Sequence, residues 1–228
     1  MSQHAVITGV SRGIGRAVAL QLAARGVTLS LLGRPSEGHE ATVAACRARG
    51  VRVGSHACDL ADPASVSAAA RGLLAAEGTP TVVVNNAAIL ERGRRVQDIE
   101  PDEWDRVLAV NLRGPFLLTR ALLPAMLGAG RGRFLHVSSI SGTIGCPEMA
   151  HYGASKWGLL GFHAALSEEL KGTGLLSVAI LPGSVDTEML EKTPFPPDMT
   201  PEEVAGLMVF YALDAPSAVA GARVEVYG

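Results

Sequence analysis

Three side chains in the second half of the chain have the types and spacing for proton transfer. Tyr152 and Lys156 lie four residues apart in a segment that reads as helix, so they project from one face. A phenol ionises near pH ~10, and a cation within a few ångströms favours the phenolate, lowering that value by ~1–3 units. The pair is therefore a candidate acid/base, with Lys156 expected to lower the pKa of Tyr152. Ser139 stands thirteen residues before Tyr152, just past a β-type run, where its hydroxyl could hold a substrate oxygen. Ser138 and Ser141 compete for that role. A tyrosine and a lysine at this spacing also occur as an ordinary helix-surface pair, so the surrounding elements must decide.

The elements that would position these groups begin at the N-terminus. A short apolar strand over 4–8 runs into Gly9-Val10-Ser11-Arg12-Gly13-Ile14-Gly15 and then an amphipathic helix over 14–25. A strand, a glycine turn and a helix start form a cradle for a dinucleotide pyrophosphate, because backbone N–H groups and the positive helix end face the anion. The next strand, 28–32, ends in Gly33-Arg34 without the Asp or Glu that accepts hydrogen bonds from the ribose hydroxyls of NAD. Arg34 and Arg12 instead offer two guanidinium groups to a 2′-phosphate, so NADP(H) is expected over NAD(H). Further strands are expected near 51–57, 81–84, 133–138, 177–181 and 223–227. Helices are expected near 37–49, 64–77, 101–113, 149–171 and 201–213, with Asp62 capping the third helix and Pro63 at its first position. This alternation specifies an α/β fold, a Rossmann-type doubly wound three-layer sandwich with a seven-stranded parallel sheet, in a single domain over 1–228.

Two motifs, Ser138-Ser139-x12-Tyr152-x3-Lys156 and Thr8-Gly9-x3-Gly13-x-Gly15, resemble signatures of the short-chain dehydrogenase/reductase family, including its 3-oxoacyl thioester reductases. The resemblance spans essentially the whole chain. It implies a catalytic set of Asn111, Ser139, Tyr152 and Lys156, with Asn111 kinking its helix to free a carbonyl for a relay water. It further implies cofactor contacts from Gly9, Ser11, Arg12, Gly13, Ile14, Gly15 and Arg34, with Asp59 and Leu60 at the adenine. Asn86 and Ala87 would pass beside the ribose in an Asn85-Asn86-Ala87-Ala88 segment, where the family has glycine in place of Ala88. Tyr152 and Lys156 would face the nicotinamide ribose, and Pro182, Gly183, Val185 and Thr187 would clamp the carboxamide. The implied reaction is hydride transfer between NADP(H) and a carbonyl or secondary alcohol. NAD-dependent alcohol oxidation and a non-catalytic cofactor-binding regulator are the alternatives.

Composition narrows the remaining classes. The 228 residues are 48% hydrophobic and 18% charged, with a net charge of −2, which excludes a largely disordered chain and gives no electrostatic case for nucleic acid. No apolar run reaches the ~18 residues of a membrane span, and no signal-peptide pattern opens the chain. A cytoplasmic homodimer or homotetramer acting on a small-molecule carbonyl or alcohol is expected. The basic runs Arg92-Gly93-Arg94-Arg95 and Arg131-Gly132-Arg133 read as solvated loops. Cys46, Cys58 and Cys146 read as free thiols, with Cys146 able to line the pocket, and no metal-ligand spacing occurs. His151 is expected at a surface or interface and His163 shows no evident partner. The proline-rich stretch 188–200 reads as a short lid that leaves the pocket open.

Overall fold

The computed structural model describes residues 3–191 and 193–228. Seven strands form one parallel sheet in the order β3-β2-β1-β4-β5-β6-β7. They are β1 (His4–Thr8), β2 (Thr28–Gly33), β3 (Val53–Ala57), β4 (Val82–Asn85), β5 (Gly132–Val137), β6 (Leu175–Pro182) and β7 (Arg223–Val226). The fold is the expected Rossmann-type three-layer arrangement.

Burial on both faces explains why the inner strands are nearly continuous apolar runs. Ile7, Leu29, Leu31, Val82, Leu135 and Val178 pack on one side with Val18 and Leu22 of α1 (Gly13–Ala24) and Met208 of a late helix (Pro201–Val209). Their neighbours Val6, Leu32, Val83 and Phe134 turn to the other side. There they meet Leu73 of α3 (Pro63–Ala76), Leu118, Leu122 and Met126 of α5 (Gly114–Ala129), and Leu166 of α6 (Ala150–Glu169). Between α1 and α3 lies α2 (Glu37–Arg47), capped by Ser36. Asp62 accepts a hydrogen bond from the Ala64 N–H at 2.9 Å with Pro63 in the first turn of α3, as the sequence predicts.

The 101–113 helix differs from expectation in its extent. It starts as α4 (Pro101–Leu108), passes through a π-helical turn (Ala109–Arg113) and continues as α5 despite Pro115. Pro115 has no N–H to give the carbonyl of Asn111 four residues back, and the wider turn accommodates that missing bond. The run at 131–133 is not a solvated loop either. It opens β5, and the Arg133 guanidinium donates at 2.7 Å to the carbonyls of both Tyr211 and Ala215, fixing the end of the last helix. Its neutralisation of those terminal carbonyls explains why an arginine sits half-buried there.

The lid is shorter in helix than in loop. A single turn, α7 (Glu188–Glu191), is followed by an extended segment, and α8 (Pro201–Val209) begins with a capping box between Thr200 and Glu203. Lys192, within the expected lid, lies outside the described residues. Among the described residues no helix is long and apolar enough to cross a membrane.

Candidate active site

Strand order reverses direction between β1 and β4, and a cavity of about 1170 Å³ opens at the C-terminal ends of the strands there. Such a crevice is where doubly wound sheets bind ligands. At one end lie Gly9, Ser11, Arg12, Gly13 and Ile14 of the glycine turn, with Arg34 from the end of β2 and Asp59 and Leu60 beyond β3. Asn86 and Ala87 line its middle, and Ser139, Tyr152, Lys156, Pro182, Gly183, Val185 and Thr187 line the other end.

The glycine turn is close-packed. Gly9 has φ of +71°, and a Cβ there would come within 2.7 Å of the Ala87 Cα, so backbone conformation and space both require glycine. Gly15 lies behind the cavity wall, where a Cβ would strike the Gly9 carbonyl and the Asn86 amide. Asn86 holds the turn from the other side, donating to the carbonyls of Thr8 and Gly9 at 3.0 and 3.1 Å. The Thr8 hydroxyl accepts from the N–H groups of Asn86 and Ala87, which stitches β1 to β4 at the switch point. Ala88, the departure from the family pattern, lines the cavity without disturbing these bonds. These N–H-rich, side-chain-free surfaces fit a dinucleotide phosphate.

Asp59 is exposed and accepts from the Ala61 N–H at 2.9 Å, shaping its own turn, while Leu60 is buried beside it. Arg34 is exposed at the cavity edge. Arg12 reaches across the cleft to an ion pair with Glu188. Thr187 donates to the Val185 carbonyl, and Val185 pairs with Met199 in a parallel bridge that anchors the far side of the lid.

At the chemical end the three candidate serines separate. Ser138 donates to the Lys156 carbonyl at 3.1 Å and Ser141 lies 3.4 Å from the Cys146 sulfur. Ser139 accepts from the Ser141 N–H at 3.1 Å, which leaves its own O–H to donate, and it is hydrogen-bonded with the Tyr152 phenol. Lys156 is 2% exposed; its Nζ donates to the Val137 carbonyl at 2.8 Å and lies 5.6 Å from the Tyr152 ring centre.

The expectation that Lys156 lowers the pKa of Tyr152 does not hold in this geometry. Burial pushes the phenol up to about 12, with the Ser139 hydrogen bond opposing and the Cys146 thiol adding to the rise. Burial also pulls Lys156 down to about 8. Desolvation disfavours both charged forms, and the ammonium is directed at a carbonyl rather than the phenol oxygen.

Asn111 does not line the cavity. It is 1% exposed in the π-helical turn, where its side chain accepts from the Ile89 N–H at 2.8 Å and donates to the Ile89 carbonyl at 2.9 Å. Its amide also donates to Ser155 Oγ at 3.1 Å, and Ser155 donates to the Tyr152 carbonyl at 2.7 Å. One asparagine thus joins the loop after β4 to the helix carrying the phenol.

Two histidines differ from expectation. His151 is fully buried rather than at a surface, with Nε2 3.2 Å from Glu103, whose other oxygen pairs with Arg94. His163 has partners: Nδ1 lies 2.7 Å from Ser177 Oγ and Nε2 faces the Gly221 carbonyl. Sequence reading placed Tyr152 and Cys146 at the pocket but missed other residues that shape its wall. Leu90, Met149 and Tyr152 form a small apolar cluster, packed against by Cys146 and Met189, and Arg92 lies over the Phe195 ring at 5.6 Å. Met189 and Phe195 are signalled in the sequence by their place in the expected 188–200 lid.

The sequence model described as short chain dehydrogenase matches residues 3–195. The chain belongs to the short-chain dehydrogenase family. Its relatives include the 3-oxoacyl-[acyl-carrier-protein] reductase FabG of Pseudomonas aeruginosa, 32% identical over 98% of this chain and 95% of that protein. D-threitol dehydrogenase of Mycolicibacterium smegmatis is 34% identical over 98% of this chain and 91% of its own length. Among solved structures, a metagenomic short-chain oxidoreductase in complex with NADP shares 37% identity with a TM-score of 0.88, covering 100% of this chain and 98% of that one. As a short-chain dehydrogenase the chain is an oxidoreductase acting on small molecules with a nicotinamide cofactor.

Proposed function

We propose that this short-chain dehydrogenase is an NADP(H)-dependent reductase of a ketone or 3-oxoacyl-type carbonyl. The observation that carries the reading is the hydrogen-bonded Ser139 and Tyr152 pair, with Lys156 buried beside it, at one end of a cavity that runs to the glycine turn.

Ser139 and Tyr152 line the same cavity within hydrogen-bond reach of each other, so together they can hold and polarise a carbonyl oxygen. The nicotinamide cofactor supplies the hydride to carbon when bound. Tyr152 gives its proton to the oxygen as negative charge develops there. A phenol held near 12 is fully protonated at neutral pH, which suits the reducing direction. Lys156, with its pKa near 8, is mostly cationic at pH 7 and offsets the phenolate left behind. Asn111 positions this machinery through Ser155, and Pro115 denies its carbonyl the usual helix donor, which supports a relay water on that carbonyl.

NADP(H) is supported by Arg12 and Arg34 on the cavity and by Gly33 where an NAD-binding carboxylate would stand. The NADP-bound relative points the same way. The apolar wall of Leu90, Cys146, Met149 and Met189 favours a substrate with a hydrocarbon arm over a polyol. Exposed Phe116 and Trp157 on α5 and α6 support a homodimer or homotetramer, checked by light scattering on the purified protein.

The test is NADPH consumption with a 3-oxoacyl thioester and with simple ketones, beside NADP+ reduction with a four-carbon polyol. Faster turnover of the oxoacyl or ketone substrate is expected. Turnover confined to the polyol, or to NADH, overturns the reading.

A further inference from the structure

Arg12 and Glu188 stand on opposite sides of the cofactor end of the cavity, and both line it. Arg12 is the residue before α1, in extended backbone, and its side chain makes no helix cap. Glu188 is the first residue of α7, at the base of the lid. Their side chains are 68% and 57% exposed, yet they meet in an ion pair across the cleft. Close approach of the two segments accompanies the charge contact. A Cβ on Gly13 would lie 3.1 Å from the Thr187 methyl, so the glycine turn and the base of the lid are already within van der Waals reach.

While Glu188 holds Nη1 of Arg12, a phosphate is left the remaining N–H groups of the guanidinium and must lie beside a like charge. We infer that Glu188 is a specificity-determining residue, which competes with the adenosine 2′-phosphate for Arg12 and ties the base of the lid to the glycine turn until that phosphate takes its place. The inference rests on the NADP(H) reading above. Its consequence reaches the substrate end, because Met189, Thr193 and Phe195 of the same segment line the cavity there. A phosphate on Arg12 frees Glu188, and the lid that shapes the substrate wall is released with it. Linkage makes the effect reciprocal: whatever holds Glu188 on Arg12 weakens the phosphate-bearing cofactor. A cofactor without the phosphate leaves the tie intact.

The test is calorimetric titration of NADPH and NADH into the full-length protein and into Glu188→Gln, Arg12→Met and the double variant. Circular dichroism confirms that each folds. An exposed pair sets the scale, so Glu188→Gln should tighten NADPH by about two- to fivefold, with a smaller change for NADH. In the Arg12→Met background the Glu188→Gln effect on NADPH should vanish, which a double-mutant cycle reads directly. The gain should also shrink at high salt. If Glu188→Gln changes NADPH affinity equally in both backgrounds, Glu188 acts by general repulsion and the competition is overturned. No change in either background overturns it too, while a preference for NADPH that Arg12→Met weakens leaves the cofactor reading standing. A wild-type protein with no preference for NADPH, and no loss in Arg12→Met, removes the cofactor reading and this inference with it.

Discussion

Replacing Lys156 by methionine should change the pH dependence of stability in a way that exposes how the site is built. The native ammonium is buried and donates to the Val137 carbonyl, and its pKa falls from the ordinary 10.5 to about 8. Between those values the unfolded chain holds a proton that the native chain has lost, so stability rises with pH through this window. Below pH 8 both states are protonated and the native state carries the full penalty, about 3 kcal/mol from the two pKa values. Methionine fills similar volume without charge and removes that penalty, but it leaves the Val137 carbonyl without a donor, at a cost of about 1–3 kcal/mol. The cofactor-free Lys156→Met protein should therefore be as stable as wild type at pH 7 or up to about 2 kcal/mol more stable, while turnover collapses. The sharper readout is the difference between the two proteins, because other titrating groups cancel. Wild type should gain about 2 kcal/mol on the variant between pH 7 and pH 9.5, measured by urea unfolding without cofactor. A difference that stays constant across that range would refute the desolvated-lysine account.

Burial of His136 gives a dependence of the same sign on the acid side. Burial pulls His136, beside a lesser effect from His163, down to about 3, so the unfolded chain binds a proton the native chain refuses below pH ~6.5. Stability should fall as pH drops from 6.5 toward 3, and His136→Phe should lower that slope by about 1.4 kcal/mol per pH unit; parallel curves would contradict it. Gly9→Ala should cost about 2–5 kcal/mol, summing left-handed strain with the 2.7 Å approach to Ala87, and should abolish cofactor binding by fluorescence titration. An unchanged melting temperature would show that the turn relaxes. Asn111→Ala should cost about 2–4 kcal/mol through the lost Ile89 and Ser155 bonds, with faster amide exchange at Ile89; retained protection there would place the clamp elsewhere.

The parts of this structure that were legible in sequence are those with local grammar. The glycine turn, the Asp62 and Pro63 helix start, the apolar strands and the four-residue spacing of Tyr152 and Lys156 each depend on neighbours a few residues away. What was hidden depends on partners far along the chain. Arg133 looked like a surface cation until its acceptors, 78 and 82 residues on, came into place. His151 looked exposed because Glu103 is 48 residues distant in sequence. The pKa of Tyr152 was misread for the same reason: a nearby cation is visible in sequence, but the burial that outweighs it is not. Asn111 was found by motif, while its bonds to Ile89 and Ser155 needed the fold.

The central claim is that Tyr152 donates the proton in an NADPH-linked reduction. Its most direct test is Tyr152→Phe, which keeps the ring in place and removes only the hydroxyl. NADPH affinity should stay within about twofold while turnover of a 3-oxoacyl or ketone substrate falls by about 10²–10⁴. Turnover within tenfold of wild type, with cofactor binding intact, would contradict the account.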